Sequence, residues 1–164
     1  MSRSENNLMA AFAGESQANR KYLAYAKQAE KEGLLQVAKL FRAAAEAETV
    51  HAHTHLRTLG MVKDTRENLL DAIAGESYEF KEMYPAMIIA AREEGDKAAE
   101  RSFSYANEVE KIHAALYKNA LDNLGSLEET DYYVCSVCGY TCEQQPPAKC
   151  PVCNAAARAF AKVA

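Results

Sequence analysis

The chain has 164 residues, of which 49% are apolar and 26% charged, with no tryptophan and a formal net charge of −4. That balance describes a soluble globular protein and leaves no basic footprint for nucleic acid or an anionic membrane surface. No stretch approaches the roughly 18 consecutive apolar residues of a membrane span. The apolar stretch 8–13 is too short for a secretory hydrophobic region, so a cytoplasmic protein is expected.

Glycines divide the first 125 residues into four helical segments. The first is predicted over about 4–32, with Leu8, Phe12, Glu15, Tyr22 and Ala26 near one stripe and Gly33 just past its end. The second runs over about 34–59, where Val37, Leu40, Phe41, Ala44 and Ala45 keep a helical period, and stops at Gly60. The third starts near Thr65, a candidate N-cap, and ends at Gly95. It contains Pro85, which predicts a bend near residues 84–85 because proline lacks the N–H that a helix interior needs. Asp96 is placed to cap the fourth, which ends near 124–125.

The composition then shifts. Residues 126–130 are polar and acidic, and residues 131–164 hold all five cysteines and three of the four prolines. The reading is a helical domain over 1–125, a linker over 126–130, and a small module over 131–164. A module of that size cannot build an adequate apolar core and needs a staple.

The helical part is internally repeated. Residues 11–16, Ala-Phe-Ala-Gly-Glu-Ser, return 61 positions later at 72–77 as Ala-Ile-Ala-Gly-Glu-Ser. Each copy is followed by Glu-x-x-His, at Glu48/His51 and at Glu110/His113, now offset by 62. Lys-Glu-Gly at 31–33 and Glu-Glu-Gly at 93–95 share the offset of 62. A Glu on one helix and Glu-x-x-His on the next, twice over, is the ligand pattern of a carboxylate-bridged dimetal site in a four-helix bundle. Side chains three apart share a helix face. Glu15 lies 18 residues before Gly33 and Glu48 15 after it, while Glu76 lies 19 before Gly95 and Glu110 15 after it. At ~1.5 Å per residue the donors of each hairpin reach matching height. Most glutamates are solvated surface residues, but six donors repeated in register within Ala-rich stretches are not explained that way. Carboxylates converging mid-bundle need cations to stay ionised.

Glu79 is a seventh candidate, one helical step from Glu76, and its counterpart in the first copy is Ala18. An extra carboxylate on one side makes the two metals unequal, which suits redox chemistry with ligand exchange. Tyr22 and Tyr84 follow their glutamates by seven and eight residues and can reach the site wall, to hydrogen-bond a carboxylate or bound peroxide. His55 shares the face of His51 and is placed at the rim or behind the ligands; His53 faces away.

In the module, Cys135-x-x-Cys138-Gly139-Tyr140 and Cys150-Pro151-x-Cys153-Asn154 form two knuckles separated by eleven residues. Four thiolates so spaced give a tetrahedral site for zinc or a single iron. Gly139 and Asn154 follow each knuckle where positive φ is required, and Cys142 is left as a free thiol. The neighbouring dimetal motif favours iron, because a redox centre needs an electron source.

These residues resemble the rubrerythrin family over nearly the whole chain. The resemblance rests on Ala13-Gly14-Glu15-Ser16-Gln17-Ala18, Glu48-x-x-His51, Glu76-x-x-Glu79 with Glu82-Met83-Tyr84-Pro85, Glu110-x-x-His113 and the two cysteine knuckles. Asn154 departs from the more usual glycine, without consequence for ligation. The resemblance implies a mainly α protein, a ferritin-like four-helix bundle followed by a rubredoxin-like metal module. It further implies a di-iron peroxidase that reduces hydrogen peroxide to water, with electrons relayed through an Fe(Cys)4 centre and zinc as a possible substitute metal. Glu48 and Glu110 would bridge the irons and Glu15 and Glu76 would be terminal ligands. His113 would bind one iron, while His51 and Glu79 alternate on the other. The electron donor would be an NAD(P)H-dependent rubredoxin reductase system. The competing readings are a ferritin-like protein that oxidises and binds iron, and a structural protein with zinc in the knuckles.

The connector at 60–65 carries one more expectation. In a ferritin-like bundle the second and third helices run parallel, so the chain between them must return by roughly 33 Å at 1.5 Å per residue. Six residues reach about 20–25 Å at most. Either the bundle is plainly up-down-up-down, or helices one and two pair with helices three and four of a second copy. We read the exchanged homodimer, since a short hinge is a recognised route to swapping.

Overall fold

The computed structural model describes residues 2–163. The chain divides into two compact units, one ending at Lys63 and the other beginning at Asp64.

The first unit is a helical hairpin, α1 (Arg3–Lys31) and α2 (Leu35–Thr58). Ser2 opens α1 with a reciprocal cap: its hydroxyl accepts from the Glu5 amide at 3.2 Å and the Glu5 carboxylate accepts from the Ser2 amide at 2.5 Å. Gly33, at φ 77°, closes α1 by letting the Leu34 amide donate back to Ala29 O at 2.8 Å. The interface is built on small side chains, with Ala26, Ala29, Ala38, Ala45 and Ala52 all buried. Asn19 clips the helices together, donating from Nδ2 to Ala45 O at 2.7 Å and to Thr49 Oγ1 at 2.8 Å. Leu40 and Val50, both on α2, stay exposed.

The second unit contains α3 (Thr65–Tyr78), a π-helical turn (Glu79–Met83), α4 (Tyr84–Glu94), α5 (Lys97–Asp122) and the module. One sequence expectation is corrected here. Thr65 is the first helical residue rather than the cap; Asp64 caps α3, its Oδ1 accepting from the Glu67 amide at 2.8 Å. Where Pro85 predicts a disturbance of the helix, a π turn stands just before it, in which the Tyr84 amide donates to Glu79 O, five residues back. Pro85 follows that turn as the second residue of α4. The turn also accounts for the change of repeat offset from 61 to 62. A π turn accommodates one additional residue within a helix, and the segment from Glu76 to Gly95 is one residue longer than that from Glu15 to Gly33. Gly95, at φ 74°, ends α4 as Gly33 ends α1, with the Asp96 amide donating to Ala91 O at 2.9 Å. Asp96 caps α5 as expected, accepting from the Ala98 and Ala99 amides. The helix ends at Asp122, slightly earlier than its apolar period suggests.

The module is a three-stranded antiparallel sheet, β1 (Tyr132–Cys135), β2 (Thr141–Glu143) and β3 (Phe160–Lys162), in the order β2-β1-β3. Tyr133 pairs with Cys142 on one side and with Lys162 on the other. Its interior is the cysteine cluster, where Cys135 and Cys150 are fully buried, so the staple stands where a larger domain would have an apolar core.

Candidate metal centres

The two cysteine knuckles are built alike. The Gly139 amide donates to Cys135 O at 2.8 Å and the Asn154 amide to Cys150 O at 2.9 Å. Both turn residues have positive φ, 85° at Gly139 and 61° at Asn154, as their places in the motif require. Cys135 Sγ lies 3.7 Å from Cys153 Sγ, and Cys138 Sγ 3.5 Å from Cys150 Sγ. These separations exclude disulfides, whose sulfurs stand about 2 Å apart. They match the ~3.8 Å edge of a tetrahedron with metal–sulfur bonds of about 2.3 Å. Burial pushes the Cys138 and Cys153 thiols up. It opposes ionisation of Cys135 too, but the amides of Val137 and Cys138 together with the Cys153 and Cys138 thiols outweigh it and draw that thiol down. Four crowded sulfurs of this kind fit a cation. Cys142 stands apart, its thiol 3.8 Å from Gln145 O.

The helical donors fall into two half-sites of one design. Glu15, Glu48 and His51 bring their ligand atoms within 4.8 Å of one another on α1 and α2, and Glu76, Glu110 and His113 do the same on α3 and α5. His51 Nδ1 stands 2.8 Å from Glu48 Oε2, and His113 Nδ1 stands 2.7 Å from Glu110 Oε2 and 3.9 Å from Glu76 Oε1. In each Glu-x-x-His motif the imidazole therefore turns the same nitrogen toward the carboxylates. The glutamates are partly shielded, whereas the His51 side chain is 56% exposed.

The electrostatics of the second half-site call for a positive charge. Burial, then the hydrogen bond and charge of Glu110 and the charge of Glu79, push the Glu76 carboxyl up to about 7. Burial and the charge of Glu110 also raise Glu79, against the pull of His113. Glu79 lies outside the three-residue cluster but feels it, from the first residue of the π turn. Burial and the charges of Glu79, Glu110 and Glu76 raise the Tyr84 hydroxyl above its usual range, which keeps its proton on. Hard carboxylate oxygens with imidazole nitrogens are a donor set that fits iron.

Tyr22 packs its ring on Tyr25 and Phe41, at centroid separations of 6.4 and 6.2 Å. Among the described residues its hydroxyl makes no hydrogen bond to Glu15 or Glu48. His55 is half-buried and His53 exposed. A residue that sequence patterning did not single out is Thr141, whose Oγ1 lies 3.0 Å from His113 Nε2. Nothing in the motif spacing announces that contact, because its partners are 28 residues apart on a helix and a strand.

Residues 6–121 match the family model described as Rubrerythrin, and residues 133–161 match the one described as Rubrerythrin, rubredoxin-like domain. Rubrerythrin-2 of Clostridium acetobutylicum is 36% identical, with 90% of this chain and 89% of that protein covered. Nigerythrin of Nitratidesulfovibrio vulgaris is 35% identical, with coverage of 90% and 80%. The fold is similar to a solved structure of nigerythrin in a fully reduced, all-ferrous state, at a TM-score of 0.61 and 32% identity over 99% of this chain and 88% of that one. A mixed-valence nigerythrin structure matches at a TM-score of 0.60, with the same identity and coverage. Mainly helical in its first part and closed by a small cysteine-rich sheet, with carboxylate–histidine and four-cysteine groups of the iron-binding type, the chain belongs to the rubrerythrin family.

Proposed function

We propose that the protein is a non-haem di-iron peroxidase protecting against oxidative stress, catalysing H2O2 + 2e− + 2H+ → 2H2O. The observation that supports this most is the pairing, in one chain, of two matched Glu/Glu/His half-sites with a tetrathiolate cluster. Bound iron would supply the two electrons that cleave the O–O bond. Glu48 and Glu110 would be ligands shared by the two irons, Glu15 and Glu76 would each hold one of them, His113 would hold one iron, and His51 or Glu79 would hold the other. Cys135, Cys138, Cys150 and Cys153 would hold a single iron. The Tyr84 hydroxyl keeps its proton and can donate a hydrogen bond at the site; Tyr22 is assigned the matching position on the other wall.

The complete site needs both half-sites, and we place them on two copies of the chain. Only six residues separate α2 from α3, too few to return along a bundle of this length. Each helical unit also leaves large apolar side chains exposed, Leu40 and Val50 in one and Leu70 and Ile89 in the other. A second copy supplies the cover for both. All five cysteines are free, which suits the cytoplasm. No helix among the described residues is long and apolar enough to cross a membrane. Electrons enter from an NAD(P)H-dependent rubredoxin reductase system.

The test is anaerobic reduction of the iron-loaded protein followed by one equivalent of hydrogen peroxide. The expected result is recovery of the thiolate-to-iron absorption of the oxidised module as peroxide disappears. Colourless protein with zinc knuckles and no peroxide consumption would defeat the reading. Iron oxidation and retention without peroxide turnover would point to ferritin-like iron handling.

A further inference from the structure

The cysteine module and the second half-site meet through one side chain. Thr141 opens β2, two residues after Gly139. Its hydroxyl donates to Gly139 O at 3.1 Å. With its hydrogen committed there, the Thr141 oxygen is an acceptor, and His113 Nε2 stands 3.0 Å from it. The backbone of the knuckle is held against the same helix: a side chain at Gly139 would meet the buried Val109 at 3.7 Å. A neutral imidazole has one N–H and one lone pair, and whichever nitrogen carries the proton leaves the other for a metal. An acceptor at Nε2 therefore puts the proton on Nε2 and turns the lone pair of Nδ1 toward Glu110 and Glu76, the two carboxylates beside it.

We infer that Thr141 is a positioning residue of the dimetal centre, fixing the tautomer and orientation of His113 and tying the ligand to the cysteine knuckle whose second cysteine, Cys138, directly precedes Gly139. Where this concerns a bound metal it rests on the di-iron reading above. The device belongs to one half-site only. Among the described residues His51 Nε2 meets no acceptor, and its side chain is twice as exposed as that of His113, 56% against 27%. His113 is thus held from both ends, by carboxylates and by the module, while His51 is held from one. The histidine with partners at both ring nitrogens and the one with a partner at Nδ1 sit on opposite copies of the repeat, in keeping with the inequality that Glu79 introduces.

The experiment uses the full chain, histidine-labelled with nitrogen-15 and loaded with diamagnetic zinc. The wild type is expected to show a His113 Nε2 proton in slow exchange with water. Thr141→Val, close in shape but without the hydroxyl, should lose that slow proton and bind cobalt(II) at the helical site about tenfold more weakly, the usual scale for a hydrogen bond behind a metal ligand. Thr141→Ser should restore both, and the visible spectrum of the iron-loaded tetrathiolate should stay unchanged in every variant, showing the module intact. A slow Nε2 proton and unchanged affinity in Thr141→Val would overturn the inference. So would a wild type whose His113 proton sits on Nδ1, or a Thr141→Ser variant that fails to restore either property. Lack of peroxide turnover by the iron-loaded wild type would instead sink the peroxidase reading, and the His113 proton would still be read.

Discussion

Glu76 Oε1 lies 3.9 Å from His113 Nδ1, although the two residues are 37 positions apart and on different helices. Burial first, and then Glu110 and Glu79 beside it, give Glu76 the largest upward displacement of proton affinity among the carboxylates of this half-site, to about 7. A carboxyl raised by folding binds its proton more tightly in the folded chain than in the unfolded one, so stability falls as pH rises between the two values. The metal-free protein should therefore lose stability from about pH 4.5 to about pH 7 and level off above. Urea unfolding across that window checks it, with Glu76→Gln expected to remove this part of the slope. Bound metal should reverse the sense, since protons then compete with the ion.

Glu79 has no counterpart in the first repeat, where Ala18 stands. Glu79→Ala should keep metal at both half-sites but slow the peroxide-driven reoxidation of the tetrathiolate iron, by about tenfold or more. Stopped-flow absorbance after stoichiometric peroxide reads the rate, and iron analysis reads the occupancy. An unchanged rate would remove Glu79 from the proposed chemistry.

Exchange of helix pairs between copies is open to a mixed-dimer test. Glu48→Ala and Glu110→Ala chains, each inactive alone, should yield heterodimers with one intact site and one doubly damaged site. Activity per heterodimer should return to about half that of the wild type, because the two-fold arrangement repeats the site. Sites built within single chains would leave the heterodimer as inactive as its parents.

Asn154 holds φ at 61° beside the buried Cys150. Asn154→Gly should be neutral or slightly stabilising, whereas Asn154→Ala should cost about 1 kcal/mol, the ordinary penalty of a left-handed backbone for a residue with a Cβ. Thermal loss of the thiolate–iron absorption measures both. Cys142→Ser should leave that absorption unchanged, as its thiol stands apart from the four ligands.

The grouping of these side chains in space was legible in the sequence because local geometry ties residue spacing to placement. Glu-x-x-His shares one helix face by geometry alone, and Cys-x-x-Cys closes a knuckle by local backbone bonds. Helix ends were legible for the same reason at Gly33, Gly95 and Asp96. Less could be read where a choice depends on neighbours. Asp64 and Thr65 are adjacent and both able to cap, and only the observed Asp64 bond to the Glu67 amide decides between them. Pro85 announced a disturbance but not its form, although the change of offset between the repeats held the clue. The Thr141–His113 contact needed three dimensions, since no period joins a strand residue to a helical one. The packing of Tyr22 against Tyr25 and Phe41 likewise depends on how two helices face each other.

The π turn at Glu79–Met83 bears on how such a site arises. A duplicated hairpin starts with two copies that are bound to be equivalent, and equivalent copies make equivalent metal positions. One extra residue, wound into the body of a helix instead of being expelled into a loop, sets the two copies out of step beyond Glu79. The residues before it keep their old register and those after it are carried round by a fraction of a turn, while both ends of the helix remain anchored. Divergence of the two copies then needs no new element and no lost ligand, only a helix tolerant of one residue too many.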